Sequence, residues 1–181
     1  MKRIKFTLIE MVVVVAIIIM LLAMLLPVLL TVKENAKIEE TRTFMKDLIT
    51  GIENFKTTYN GYPFWEEYNE DVRIDISGAS PSATGVSYQN LMDILGEGST
   101  NTIRTEKNPR DIGFINLRND TYLDSWGEEF YICINMNGDE QIDSSRNTSY
   151  VGGAIKADIG IYSTGPDLAL GTDDDIVSWE R

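Results

Sequence analysis

The chain has 181 residues, 24% of them charged, a net charge of −12, no histidine and a single cysteine, Cys133. The missing histidine excludes Ser-His-Asp and Cys-His catalysis, imidazole acid–base chemistry and His-ligated zinc or haem. One cysteine excludes an internal disulfide and Cys-based metal clusters, and the acid excess argues against nucleic acid as a partner, because phosphate contacts need a basic face.

Charge is unevenly spread, with net +2 over residues 1–32, zero over 33–59, −4 over 60–119 and −10 over 120–181. Residues 1–5 form a basic leader with Lys2, Arg3 and Lys5, and Met11 to Leu30 then run twenty residues without a charge. At 1.5 Å per residue such a helix spans about 30 Å, the hydrocarbon core of a bilayer. The basic cluster before it and the acidic bulk after it place the N-terminus in the cytoplasm and the body outside, by the positive-inside rule. A cleaved secretory signal is the competing reading. Its apolar region would be about 7–15 residues ending in a small-residue site, and Leu25-Leu26-Pro27-Val28-Leu29-Leu30 offers none. Glu10 stands at the cytoplasmic edge of the run, where a carboxylate either snorkels to the headgroups or has a dedicated partner. Pro27 removes one helical hydrogen bond near the far face and invites a kink.

Phe6-Thr7-Leu8-Ile9-Glu10, followed by Met11-Val12-Val13-Val14-Val15-Ala16-Ile17 and by Pro27 seventeen residues after the glutamate, resembles the N-terminal signature of type IV pilins and type II secretion pseudopilins. The resemblance implies a cut between Lys5 and Phe6 by a prepilin peptidase and methylation of the new amine on Phe6. It also implies that Glu10 pairs with that amine on a neighbouring subunit of a filament. Lys5 stands where the family carries glycine. A chain left uncut there is a signal-anchored membrane protein, in which Phe6 has no free amine and Glu10 loses that partner.

Beyond the membrane and assembly helix of residues 6–32, an amphipathic continuation is expected over 33–61. Ile38, Met45, Leu48, Ile52, Phe55 and Tyr59 are spaced 7, 3, 4, 3 and 4 apart and make one apolar stripe. About three heptads are too few for a coiled-coil assignment, so the stripe is expected to pack on a small sheet. Asn60-Gly61-Tyr62-Pro63 ends it.

Residues 62–128 read as a variable connecting region. Segments 77–85 and 96–102 are small, polar and loop-like, Tyr88, Leu91, Met92 and Leu95 mark a short helix, and Glu66, Glu67, Glu70 and Asp71 read as solvated surface. Three short strands are expected in 129–181, at Phe130–Ile134, Asp158–Ser163 and Asp175–Trp179. Cys133 then reads as a buried small hydrophobe. The expected fold class is α+β, a long N-terminal helix on a small antiparallel sheet, and the resemblance implies a pilin-like arrangement.

Asp167, Asp173, Asp174 and Asp175 place four carboxylates within nine residues. At about 6 Å in water one like-charged pair costs roughly 0.7 kcal/mol, so a folded loop gathering several favours a cation. Calcium suits an all-oxygen inventory; a solvated acidic turn with an Asp capping a backbone N–H is the alternative. The loop resembles the calcium loop of the G-type major pseudopilins of type II secretion. That likeness implies Asp167, Asp174 and Asp175 as ligands, with Thr164 and Ala169 as carbonyl donors. Tyr122-Leu123-Asp124-Ser125-Trp126-Gly127 resembles that family's Asp-Pro-Trp-Gly entry to the first strand, with Ser125 in place of proline. Asn135, Asn137, Asp139, Gln141 and Asp143 have EF-hand spacing, but Glu140 replaces the turn glycine and Arg146 the twelfth-position acid, so a polar hairpin loop is expected.

The resemblance thus implies a structural, non-catalytic pseudopilin subunit. Its partners would be further copies in a filament, other pseudopilins, a prepilin peptidase, an inner-membrane secretion platform and the membrane itself. A type IV pilin-like subunit for adhesion, motility or DNA uptake and a membrane-anchored calcium-dependent binding module are the alternatives. An anchored hydrolase is disfavoured, because no substrate cleft is marked by the carboxylates.

Overall fold

A computed structural model of the chain describes residues 7–64, 72–74, 87–98, 100–116, 123–139, 141–142 and 155–179. Lys5 and Phe6, the acidic pairs Glu66-Glu67 and Glu70-Asp71, the 77–85 segment, Glu140, Asp143 and Arg146 lie outside them. The chain divides into two compact units, residues 1–37 and 38–181.

Helix α1 spans Leu8–Tyr59, 52 residues, and continues through Pro27 without a break. Its part in the first unit is apolar all round: every large apolar side chain described from Leu8 to Val32 is at least 49% exposed. Water tolerates no such surface, and the helix is long and apolar enough to cross a membrane. Thr7 and Glu10 start it as a capping box. The Glu10 carboxylate accepts from the Thr7 N–H and hydroxyl, both at 2.7 Å, and the Glu10 N–H reaches back to the Thr7 hydroxyl at 3.4 Å.

In the second unit the stripe turns inward. Phe44, Met45, Leu48, Ile52 and Phe55 are fully buried, with Ile38 and Tyr59 packed at the margin, and each buried side chain contributes roughly 1.5–3 kcal/mol. On the outer face Thr43, Thr50, Thr57 and Thr58 return their hydroxyls to the carbonyls four residues back. The helix ends in a Schellman-type turn, in which Asn60 takes the left-handed conformation (φ 56°) and the Gly61 N–H closes on the Lys56 carbonyl at 3.2 Å. Asparagine, not the glycine beside it, is therefore the left-handed residue.

The sheet is an antiparallel meander of β1 (Val72–Ile74), β2 (Tyr131–Ile134), β3 (Ile159–Ser163) and β4 (Ile176–Val177), in that order. Ile132 pairs with Ile161 and Ile134 with Ile159; these four belong to the core that also contains the α1 stripe. On the other face Cys133, opposite Gly160, joins Ile142 and Ile155 in a second cluster, with Trp179 packed against it. Every β3 residue is buried because both faces are covered. The class is α+β, with the three expected strands present and a fourth, β1, supplied by the expected connecting region.

That region also supplies two short helices, α2 (Tyr88–Leu95) and α3 (Thr102–Lys107), the second starting where a loop was expected. Asn101 caps α3 by accepting from the Ile103 N–H at 3.3 Å. The buried Arg104 of α3 donates through Nη1 to the Asp93 and Ile94 carbonyls, at 3.1 and 3.2 Å, and to that of Gly96. Its Nε pairs with Asp111 at 2.7 Å. One cation thus ends α2 and holds α3 against it. Asn108 completes the junction by accepting from the Tyr59 hydroxyl at 2.6 Å.

Candidate functional site

The acidic loop joins β3 to β4, and its shape begins with glycine. Gly165 (φ 65°) opens a 3₁₀ turn over Gly165–Asp167, and a Cβ at that position would collide with the Asp174 carbonyl oxygen. Only glycine lets the start of the loop lie against its acidic end. Leu168 follows in the left-handed region at φ 57°, held by an Asx turn in which Asp167 Oδ1 accepts from the Ala169 N–H at 2.8 Å.

The carboxylates face their own loop. Asp174 Oδ2 accepts from the Asp167 N–H at 3.1 Å and its Oδ1 from the Thr172 hydroxyl at 2.6 Å, while Asp175 Oδ2 accepts from the Gly171 N–H at 2.9 Å. The Thr172 hydroxyl also stands 3.2 Å from the Ala169 carbonyl. Two of the oxygens implied as calcium ligands, Asp174 Oδ1 and Ala169 O, thus converge on one hydroxyl. The Thr172 hydrogen bond, followed by burial acting against it and by the Asp167 N–H, leaves the Asp174 carboxyl below its usual range. Among the described residues no three carboxylates converge as a metal-ligand group. Thr164, 6% exposed, has a buried hydroxyl with no hydrogen-bond partner among the described residues.

Asp124 ties this loop to the rest of the unit; the motif-based reading named it only as part of the entry to the first strand, not as a partner of the acidic loop. Its Oδ1 accepts from the Trp126 and Glu128 N–H groups, both at 2.9 Å, and its Oδ2 from the Ser163 hydroxyl at 2.6 Å. The Gly165 N–H in turn donates to the Ser163 oxygen at 3.2 Å. Asp124-Ser125-Trp126-Gly127 is therefore a turn whose carboxylate reaches the strand end from which the acidic loop departs. The same turn docks on α1, where the Ser125 N–H donates to the Thr41 hydroxyl at 3.3 Å. The signal available in sequence was an Asx turn ending in glycine; the partner 39 residues away was not.

The EF-hand-like segment is occupied internally. Asn135 Nδ2 donates to the Asp139 carbonyl at 2.6 Å, Asn135 Oδ1 accepts from the Gly138 N–H, and Asp139 Oδ1 accepts from the Gln141 N–H. At the other end of the chain, Glu10 is held by Thr7, a pairing that the Thr7-x-x-Glu10 spacing could have disclosed. Comparison of the chain with protein-family models, with curated proteins and with solved structures finds no match.

Proposed function

We propose that the chain is a structural pseudopilin subunit of a type II secretion filament, acting by assembly rather than catalysis. The observation that carries this reading is one continuous helix, Leu8–Tyr59, apolar and exposed in its first half and buried by its own α+β unit in its second. A helix of that kind inserts as a monomer and packs laterally when copies are extracted into a filament. The N-terminus is cytoplasmic and the C-terminal unit periplasmic, across the inner membrane. Processing frees the Phe6 amine, which the Glu10 carboxylate of a neighbouring copy takes as its partner. A prepilin peptidase, other pseudopilins and the secretion platform are the further partners.

N-terminal sequencing of the membrane-extracted protein tests this: the expected mature chain begins at N-methylated Phe6, and Glu10→Ala should insert normally while losing crosslinked multimers. A chain beginning at Met1, or multimers unchanged in Glu10→Ala, would refute the assembly role of Glu10.

Calcium is part of the same proposal. Asp167, Asp174 and Asp175, with the Thr164 and Ala169 carbonyls, would hold it and so fasten the loop. The buried Thr164 hydroxyl, without a hydrogen-bond partner among the described residues, supports a cation there; Asp174 Oδ1 and Ala169 O would exchange the Thr172 hydroxyl for the ion. At a hundredfold excess over Kd such an ion stabilises the folded form by about 2.7 kcal/mol. Thermal unfolding with calcium and with chelator should then differ by ~5–11 °C, a shift that Asp175→Ala abolishes; coincident curves would leave the loop as a solvated turn.

Two observations favour a second reading, that of a membrane-tethered binding module. Lys5 occupies the position of the family's glycine, and Glu10 already has Thr7 as a partner within its own chain. The sequencing experiment separates the two.

A further inference from the structure

The acidic loop gathers two of its proposed calcium ligands around a hydroxyl. Thr172 Oγ1 stands 2.6 Å from Asp174 Oδ1 and 3.2 Å from the Ala169 carbonyl oxygen. Calcium takes its oxygens at about 2.3–2.6 Å. A side-chain oxygen of the chain itself therefore has, at similar distances, two partners that the calcium reading assigns to the ion. A second observation, independent of the aspartates, points to a ligand here. Thr164 at the start of the loop is 6% exposed, and its buried hydroxyl has no hydrogen-bond partner among the described residues. A polar group buried in that way carries a desolvation cost that a ligand would offset.

The Thr172 hydroxyl is an incomplete substitute for a cation. It has one hydrogen to donate, and the shorter contact, to Asp174, takes the larger share of it. The Ala169 carbonyl at 3.2 Å is left with the smaller share. A divalent cation serves both oxygens at once and supplies the positive charge that the aspartates of the loop lack. The hydroxyl also has room to leave. Gly171 beside it lies at φ 84°, and a Cβ there would meet nothing within 4 Å, so the turn carrying Thr172 is bordered by open space.

We propose that Thr172 is a built-in stand-in for the cation: its hydroxyl closes the loop on Asp174 and Ala169 in the ion-free chain, and its displacement sets the calcium affinity. The inference rests on the calcium reading above and adds to it a residue outside the ligand set that tunes it. Removing the hydroxyl has two opposite effects. The ion-free loop loses a hydrogen bond to a charged acceptor, and calcium binding no longer has to break that bond. A hydrogen bond of this kind corresponds to about a tenfold change in Kd.

The test is calorimetric titration with calcium of the full-length protein in detergent, stripped of metal beforehand, for the parent, Thr172→Val and Thr172→Ser. Thr172→Val keeps the shape without the hydroxyl. It should bind calcium about tenfold more tightly than the parent and, in chelator, melt ~2–4 °C lower. Thr172→Ser keeps the hydroxyl and should match the parent in both measurements. Binding by Thr172→Val with none by the parent would support the stand-in as well. Equal or weaker binding by Thr172→Val, where the parent binds, would overturn it and leave the calcium reading intact. Thr172→Ser binding as tightly as Thr172→Val would do the same, because loss of the hydroxyl would not be the cause. Absence of binding by both the parent and Thr172→Val would sink the stand-in and the calcium reading together.

Discussion

Asp124 accepts three hydrogen bonds with one carboxylate, two from backbone N–H groups of its own turn and one from the Ser163 hydroxyl at the end of β3. Hydrogen bonds to a charged acceptor are worth about 1.5–3 kcal/mol each, and donors left buried without a partner carry their desolvation cost. Asp124→Ala is therefore expected to cost about 3 kcal/mol and to lower the melting temperature of the full-length protein in detergent by ~6–12 °C. Asp124→Asn keeps one acceptor oxygen and should lose less than half of that. A shift under about 2 °C for Asp124→Ala would show that the turn holds without its carboxylate. Asp174 makes a pH-dependent contribution of the opposite visibility, on an exposed loop. Its carboxyl lies below its usual value of 3.8, chiefly through the Thr172 hydroxyl. A carboxyl lowered by folding stabilises the native state above pH 3.8, and that contribution fades as pH falls through the folded value. Thr172→Val should move the Asp174 titration up toward 3.8, as followed by carboxyl ¹³C shifts. An unmoved titration would assign the shift to the Asp167 N–H instead. The residues of this loop were legible in sequence as a cluster of acids. Their hydrogen bonds were not, because each depends on a turn geometry that Gly165 and Leu168 set.

Helix α1 was legible because burial and periodicity agree along it. Of the six stripe residues, Met45, Leu48, Ile52 and Phe55 are buried, and Ile38 and Tyr59 are partly buried at the margin. The neighbouring Phe44 was missed although it stands four residues before Leu48 and so shares that face; it belongs to the same core and meets Phe130 edge-on, with ring centres 5.4 Å apart. Strand β1 escaped notice because three residues, Val72–Ile74, are too few to display alternation. Helix α3 has a single large apolar residue, Ile103, so its periodicity is silent and only the Asn101 cap announces it. Gly51 shows the limit of propensity arguments on α1 itself. A mid-helix glycine costs about 1 kcal/mol relative to alanine, yet a Cβ there would collide with the Ile115 side chain and stand 3.1 Å from the Phe114 carbonyl oxygen. Gly51→Ala on a solvated helix would raise stability. Here it is expected to lower it by about 1–3 kcal/mol through overpacking. The sign of the melting-temperature change decides the matter, and a rise would mean that the 114–115 segment yields easily.

At the scale of the molecule, the proposed orientation rests on which cations flank the apolar span. Lys2, Arg3 and Lys5 precede it, and Lys33, Lys37, Arg42 and Lys46 follow it on the far side. A plain count of both flanks therefore does not favour a cytoplasmic N-terminus. The rule, however, weighs short flanks and gives acids little influence, whereas long domains cross largely regardless of charge. Lys2, Arg3 and Lys5 lie close to the span, whereas the other flank continues into the folded unit of residues 38–181. In the proposed topology the three leading cations would set the orientation, and the C-terminal acid excess would add little to them. Alkaline phosphatase joined after Arg181 should be active. Lys2→Glu with Arg3→Glu, leaving Lys5 at the proposed cut site untouched, should reduce that activity several-fold at equal expression, with a matching gain in a cytoplasmic reporter at the same position. Activity unaffected by the double substitution would transfer the choice of orientation to the folded unit. An inactive fusion in the parent chain would reverse the topology outright.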